Sequence, residues 1–136
     1  MNRRWYETVP AAYDAGMRVC GYTTINLCAR AGDKNATTLQ VLVDGEPKDL
    51  TGAVVTAQAR HTATDAAPAL TATVTATEEA LGIYTVAWDG DAVRALLNGS
   101  ASWSGVWDLN VVQFGETLAT TPCGGRLDAL LDVTRD

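Results

Sequence analysis

Asp49-Leu50-Thr51-Gly52-Ala53-Val54-Val55-Thr56-Ala57-Gln58-Ala59-Arg60 is the stretch whose reading decides the fold. A polar turn at Thr51-Gly52 runs directly into residues that alternate. Val55, Ala57 and Ala59 fall on one side, and Thr56, Gln58 and Arg60 on the other. A period of two is the signature of a strand with one face on a core and one face in water. Upstream, Leu39, Val41 and Val43 alternate in the same way, and Asp44-Gly45 supplies a hairpin-type turn because glycine accepts a positive φ at little cost. Pro47 lacks the N–H that a ladder bond needs.

The same pattern extends in both directions. Thr23 to Ala29 places Ile25, Leu27 and Ala29 on one face, and Gly32-Asp33 turns the chain. Residues 61–68 are small and polar and read as a loop. Residues 69–77 alternate Leu70, Ala72, Val74 and Ala76 with Thr71, Thr73, Thr75 and Thr77, as suits an antiparallel strand wetted on one side. Glu78 to Gly82 is a turn, and Ile83 to Trp88 is a strand with Tyr84, Val86 and Trp88 facing one way. Ala92 to Asn98 is the one helical stretch, with Asp91 as N-cap, Gly99 just past its end, and Val93, Leu96 and Leu97 on one face. Ser104 to Val112 points Trp107, Leu109 and Val111 one way. Thr117 to Val133 holds the last strand or two, interrupted near Pro122-Cys123-Gly124-Gly125.

About seven short strands with regularly spaced turns predict an all-β chain, an antiparallel β-sandwich with one short helix. The expected core includes Leu50, Val55, Leu70, Val74, Trp107, Leu109 and Val111. With 136 residues, 47% of them hydrophobic, one such domain is the expectation.

Residues 1–23 differ in character from residues 24–136 and read as an N-terminal arm. They hold Trp5, Tyr6, Tyr13 and Tyr22, four of the nine aromatics, and three arginines against two acids. Arg, Trp and Tyr are favoured at interface hot spots, so Arg3, Arg4, Trp5, Tyr6 and Tyr13 are the candidate partner contacts. The net charge of −6 then lies wholly in the body, which disfavours nucleic acid and anionic membrane surfaces as partners. No apolar run follows Met1-Asn2-Arg3-Arg4 as a signal peptide requires, and no stretch approaches the roughly 20 apolar residues of a membrane span. The expectation is a soluble chain synthesised in a cytoplasm.

No catalytic, metal-binding or cofactor-binding residue is expected. Cys20, Cys28 and Cys123 form no CxxC pair and, with His61 as the single histidine, make no usual zinc set; they read as reduced thiols, with one disulfide as the alternative. Ser100, Ser102 and Ser104 flank Trp103 without a Gly-x-Ser-x-Gly elbow, and the glycines form neither a P-loop nor a dinucleotide fingerprint. Asp89-Gly90-Asp91 lacks the further oxygen ligands of a calcium loop and reads as a turn.

Ile25-Asn26-Leu27, the Gly32-Asp33 turn, Leu39-Gln40-Val41, Asp44-Gly45-x-Pro47-x-Asp49-Leu50-Thr51-Gly52-Ala53, Gly82-Ile83-Tyr84, Gly105-Val106-Trp107-Asp108-Leu109 and Val133-Thr134-Arg135 together resemble the immunoglobulin-like domain of tailed-phage structural proteins. That fold is typified by the N-terminal domain of baseplate upper proteins. The resemblance spans roughly residues 24–135. It implies an immunoglobulin-like sandwich in a phage or prophage virion protein. Such a protein would be made in the bacterial host cytoplasm and bind other virion proteins or copies of itself, as a tail or baseplate connector or accessory, or as a capsid decoration protein. The alternative is a free-standing carbohydrate- or ligand-binding sandwich.

Overall fold

The computed structural model describes residues 6–10, 18–19, 22–43 and 45–131, with side chains from residue 23 onward. Along these residues run the strands β1 (Tyr6–Pro10), β2 (Arg18–Val19), β3 (Tyr22–Thr24), β4 (Leu27–Arg30), β5 (Asn35–Val43), β6 (Glu46–Pro47), β7 (Val54–Arg60), β8 (Leu70–Thr71), β9 (Thr73–Glu78) and β10 (Ile83–Trp88). The helix α1 (Gly90–Leu97) follows, then β11 (Ser102–Val112) and β12 (Thr120–Leu130). The chain is an all-β sandwich. One sheet has the order β1-β5-β10-β9 with β6 on β5, and the other has β2-β3-β12-β11-β7-β8 with β4 on β12.

The alternation read from the sequence sorts residues between core and surface as expected. Leu50, Leu70, Trp107, Leu109 and Val111 are buried, together with Leu39, Val41, Tyr84, Val86 and Trp88. Val55 and Val74 are half-buried and pack against that core. Val74 sits on β9, the outermost strand of its sheet, where one flank of the side chain has no neighbouring strand to cover it.

The Thr51-Gly52 corner has a definite mechanism. Asp49 Oδ1 accepts hydrogen bonds from the Thr51 N–H at 3.0 Å and the Thr51 hydroxyl at 2.6 Å. Gly52 takes φ +81°, a conformation an L side chain rarely adopts. Leu50 is buried in the core, its N–H donating at 2.8 Å to Glu79 O in the turn between β9 and β10.

Four expectations are corrected. The run 69–77 is not one strand: β8 pairs with β7 and β9 with β10, so the chain crosses from one sheet to the other at Ala72. The run 23–29 is two strands separated by Ile25-Asn26, and both pair parallel to β12, so the second sheet is not wholly antiparallel. The helix begins at Gly90, capped by Asp89, whose carboxylate accepts from the Ala92 N–H at 3.2 Å; Asp91 lies in the first turn. Finally, β12 runs unbroken through Pro122. Its register on β11 steps from Leu109↔Cys123 to Val111↔Thr120, a bulge that accommodates the proline, whose missing N–H has no place in a regular ladder.

Three pieces of the segment 1–23 are backbone-paired into the sandwich. β1 lies antiparallel on β5 from Tyr6↔Val43 to Pro10↔Leu39, β2 pairs with β3, and β3 spans the position 23/24. Parts of this segment therefore serve as sheet as well as lead-in.

Trp107 joins the two layers. It is buried, its indole Nε1 donates to Ile25 O at 2.8 Å, and its ring meets Trp88 of the opposite sheet edge-on at 6.2 Å. Trp107→Ala is expected to cost about 3–5 kcal/mol in a denaturant unfolding experiment, from the cavity and the lost contacts. An unchanged unfolding midpoint contradicts this placement.

Candidate functional site

The outer face of the second sheet carries its polar chemistry. On β11, Gly105, Trp107, Leu109 and Val111 turn inward, which leaves Ser104, Val106, Asp108 and Asn110 on the outside. Register sets their neighbours: Val106 lies between Arg126 and Arg60, and Asp108 between Gly124 and Gln58. Gly124 itself is buried, and Asp108 opens on the side of Gln58, Arg60 and Ala63. The result is a pocket of about 330 Å³ lined by Gln58, Arg60, Ala63, Val106, Trp107, Asp108 and Gly125.

The loop 61–69 provides one wall. Arg60 Nε donates to Asp65 O at 3.0 Å, and the Asp65 carboxylate accepts from Thr62 N at 3.1 Å and the Thr62 hydroxyl at 2.9 Å. Those Thr62 bonds hold the Asp65 carboxyl below its usual pKa. Asp108 behaves oppositely. Burial pushes its carboxyl above the usual range, Arg60 opposes the shift, and no hydrogen bond reaches the carboxylate among the described residues.

A serine, a histidine and an aspartate do meet near this face, in an arrangement that does not activate a nucleophile. His61 Nδ1 lies 3.1 Å from the main-chain oxygen of Ser104, and the ring lies 6.0 Å from Trp103. The Ser104 hydroxyl donates instead to Asp128 at 2.7 Å. Asp128 also accepts from Arg126 at 2.8 Å, and the Arg126 and Ser104 bonds lower its pKa. A general base must reach the proton it removes, and here the histidine faces a carbonyl. Among the described residues no group of three or more His, Cys, Asp or Glu side chains stands ready for a metal, and no helix is long and apolar enough to cross a membrane.

A second surface lies at one end of the sandwich, on the connection between β11 and β12. Phe114 is 83% exposed and Leu118 80%, and Val54 at the start of β7 is 62% exposed. Phe114 stands over the Thr51-Gly52 corner, where a Cβ placed on Gly52 would lie 3.2 Å from its ring. From the sequence, Phe114-Gly115-Glu116 reads only as a turn. The signal available was a phenylalanine and a leucine in a segment that otherwise had no reason to be apolar.

Of the candidate contact residues, Arg3, Arg4, Trp5 and Tyr13 lie outside the described residues. Tyr6 opens β1 with its side chain outside them. Cys20 is likewise outside; Cys28 is exposed and Cys123 buried.

No family model matches the chain, and no curated protein matches it. Among solved structures, the CooA pilin subunit from enterotoxigenic Escherichia coli is similar over 94% of this chain and 99% of its own, at 6% sequence identity and a TM-score of 0.42.

The Asp108 geometry has a pH consequence. A carboxyl whose folded pKa is raised destabilises the fold when ionised, and the penalty disappears as the pH falls through the folded value. Asp108→Asn is therefore expected to melt higher than the wild type at neutral pH. The gap should close on acidification toward the ordinary aspartate value of 3.8. Thermal melts of both proteins across that range check it, and a variant less stable at pH 7 contradicts it.

Proposed function

We propose that this chain is a structural protein of a phage or prophage virion, acting through protein–protein contacts as a tail or baseplate connector or accessory, or as a capsid decoration protein. The observation that carries the assembly role is the exposure of Phe114 over the Gly52 corner, of Val54 opposite the end of β11, and of Leu118 further along the same connection. Large apolar side chains grouped on the surface of a folded domain mark a contact site, because burying them against a partner removes them from water. A connection held between two long paired strands presents such a site at little cost in ordering. The virion context is supported by the resemblance centred on the Asp49 to Ala53 corner. The proposed partners are other virion proteins and further copies of this chain, and the proposed location is the particle.

A ligand-binding sandwich remains the second reading because of the pocket beside Asp108, whose carboxylate has no hydrogen-bond partner among the described residues. A small polar ligand able to donate to that carboxylate is the chemistry it offers.

The two readings separate experimentally. Phe114→Ser combined with Leu118→Ser is expected to leave the melting temperature within a few degrees of wild type, since both side chains face solvent, and to abolish incorporation of the protein into particles. Normal incorporation of the double variant overturns the proposed contact. Loss of a bound small molecule on Asp108→Asn, with incorporation unaffected, favours the second reading.

A further inference from the structure

We propose that the free edge of β9 is a self-association surface, where two copies of this chain pair β9 against antiparallel β9 about a twofold axis at Thr75. As a joint within an assembly it rests on the reading above; as a contact it stands on β9 alone.

β9 ends its sheet: β10 lies on one side, and no strand lies on the other among the described residues. Thr73, Thr75, Ala76, Thr77 and Glu78 are exposed, and Val74 is half-buried. An open edge presents a row of N–H and C=O groups ready to accept another strand. Folded proteins blunt such edges with lysine, proline or a central bulge. Residues Thr73 to Thr77 contain no charge and no proline. The one register shift against β10 leaves Thr77 as the extra residue, so Thr73 to Ala76 are the regularly paired part of the edge and the bulge falls at the outer end of the contact.

The side chains favour a second copy over another extended chain. Thr73-Val74-Thr75-Ala76-Thr77 reads alike in both directions, threonine alternating with a small apolar residue. Pairing about Thr75 sets Thr73 against the partner's Thr77 and Val74 against the partner's Ala76, so hydroxyls meet hydroxyls on one face and apolar groups meet on the other. On the hydroxyl face a rank already exists. Thr85 Oγ1 lies 3.2 Å from Thr38 Oγ1 and 3.3 Å from Thr77 Oγ1, and the Thr75↔Thr85 register carries the rank to the edge.

Charge agrees. The chain carries −6 overall, so two copies repel over most of their surfaces, and this edge is neutral. In the proposed register Glu78 lies opposite the partner's Ala72, which keeps the two carboxylates at opposite ends of the contact. The contact is isologous and closes on itself. It is also small, below the size of a permanent interface, so the association depends on concentration.

Sedimentation of the full chain over a concentration series tests it. The average mass is expected to rise from the 14.3 kDa monomer toward twice that value. Thr75→Lys sets two ammonium groups facing each other at the axis. It is expected to stay monomeric throughout, with an unchanged melting temperature because residue 75 is exposed. Thr75→Cys checks the register independently of stability. In a Cys20→Ser, Cys28→Ser background, which removes the exposed Cys28 thiol, mild oxidation should yield a disulfide-linked dimer that the same background without Thr75→Cys does not form, while Thr73→Cys and Thr77→Cys should cross-link when mixed and not alone. A monomeric wild type at all concentrations, a Thr75→Lys variant that still dimerises, or cross-linking through position 73 alone overturns the proposal. None of those results touches the Phe114 and Leu118 surface, whose particle experiment decides the assembly role separately.

Discussion

The indole of Trp107 is the interaction on which the other contacts depend. It lies on β11, the strand with long pairings on both sides, and its N–H reaches across to the main chain at Ile25. That approach requires Gly125, the residue paired with Trp107 on β12: a Cβ at that position would collide with Ile25 O. The same absence of a side chain lets the Ile25-Asn26 link between β3 and β4 lie against β12, where Asn26 Oδ1 accepts from the Arg126 N–H at 3.0 Å. One buried side chain and one glycine thus hold the link between the parallel-paired strands, the last strand and the central strand in place. The ring edge on Trp88 then couples this sheet to the other.

A core organised in this way confines function to the periphery. Inward positions on β5, β10 and β11 are filled with Leu39, Val41, Tyr84, Val86, Leu109 and Val111, and the space between Val41, Leu50, Val111 and Pro122 is too small for a water molecule. What varies is the outside: a polar sheet face with a half-buried carboxylate, an apolar connection at one end, and an uncharged strand edge on the opposite sheet. Each is set by register. Asp108 lies between Gly124 and Gln58, Phe114 follows the end of β11, and Thr75 lies on the last strand of its sheet.

Much of this was legible in the residues, because a period of two survives into burial wherever one strand stays in one sheet. Leu39, Val41 and Val43 on β5, and Trp107, Leu109 and Val111 on β11, are read correctly on that ground. The crossing at Ala72 was not legible, since Thr71, Ala72 and Thr73 keep the alternation unbroken while the hydrogen-bond partner changes from β7 to β10. Pro122 misled in the opposite sense, as its cost depends on a bulge that only the pairing with β11 reveals. Asp89 and Asp91 both flank Gly90, and the choice between them as cap was made by tertiary contact. Gly90 packs against the main chain at Asp33, where any Cβ would come within 2.6 Å of a backbone oxygen, so only glycine fits at the first helical position, and the preceding Asp89 takes the cap. The exposed Phe114 and Leu118 escaped because a turn is read from its glycine, and apolar neighbours carry no periodic signal over so few residues.

The claim that the two sheets form one cooperative unit through the Trp88–Trp107 contact is tested most directly by a double-mutant cycle. Trp88→Leu, Trp107→Leu and the double variant are compared with wild type by equilibrium unfolding. The edge-on geometry predicts a coupling of about 0.5–1.5 kcal/mol and a single transition in every variant. Strictly additive losses, or two separate transitions in the single variants, would contradict a sandwich held together at this point.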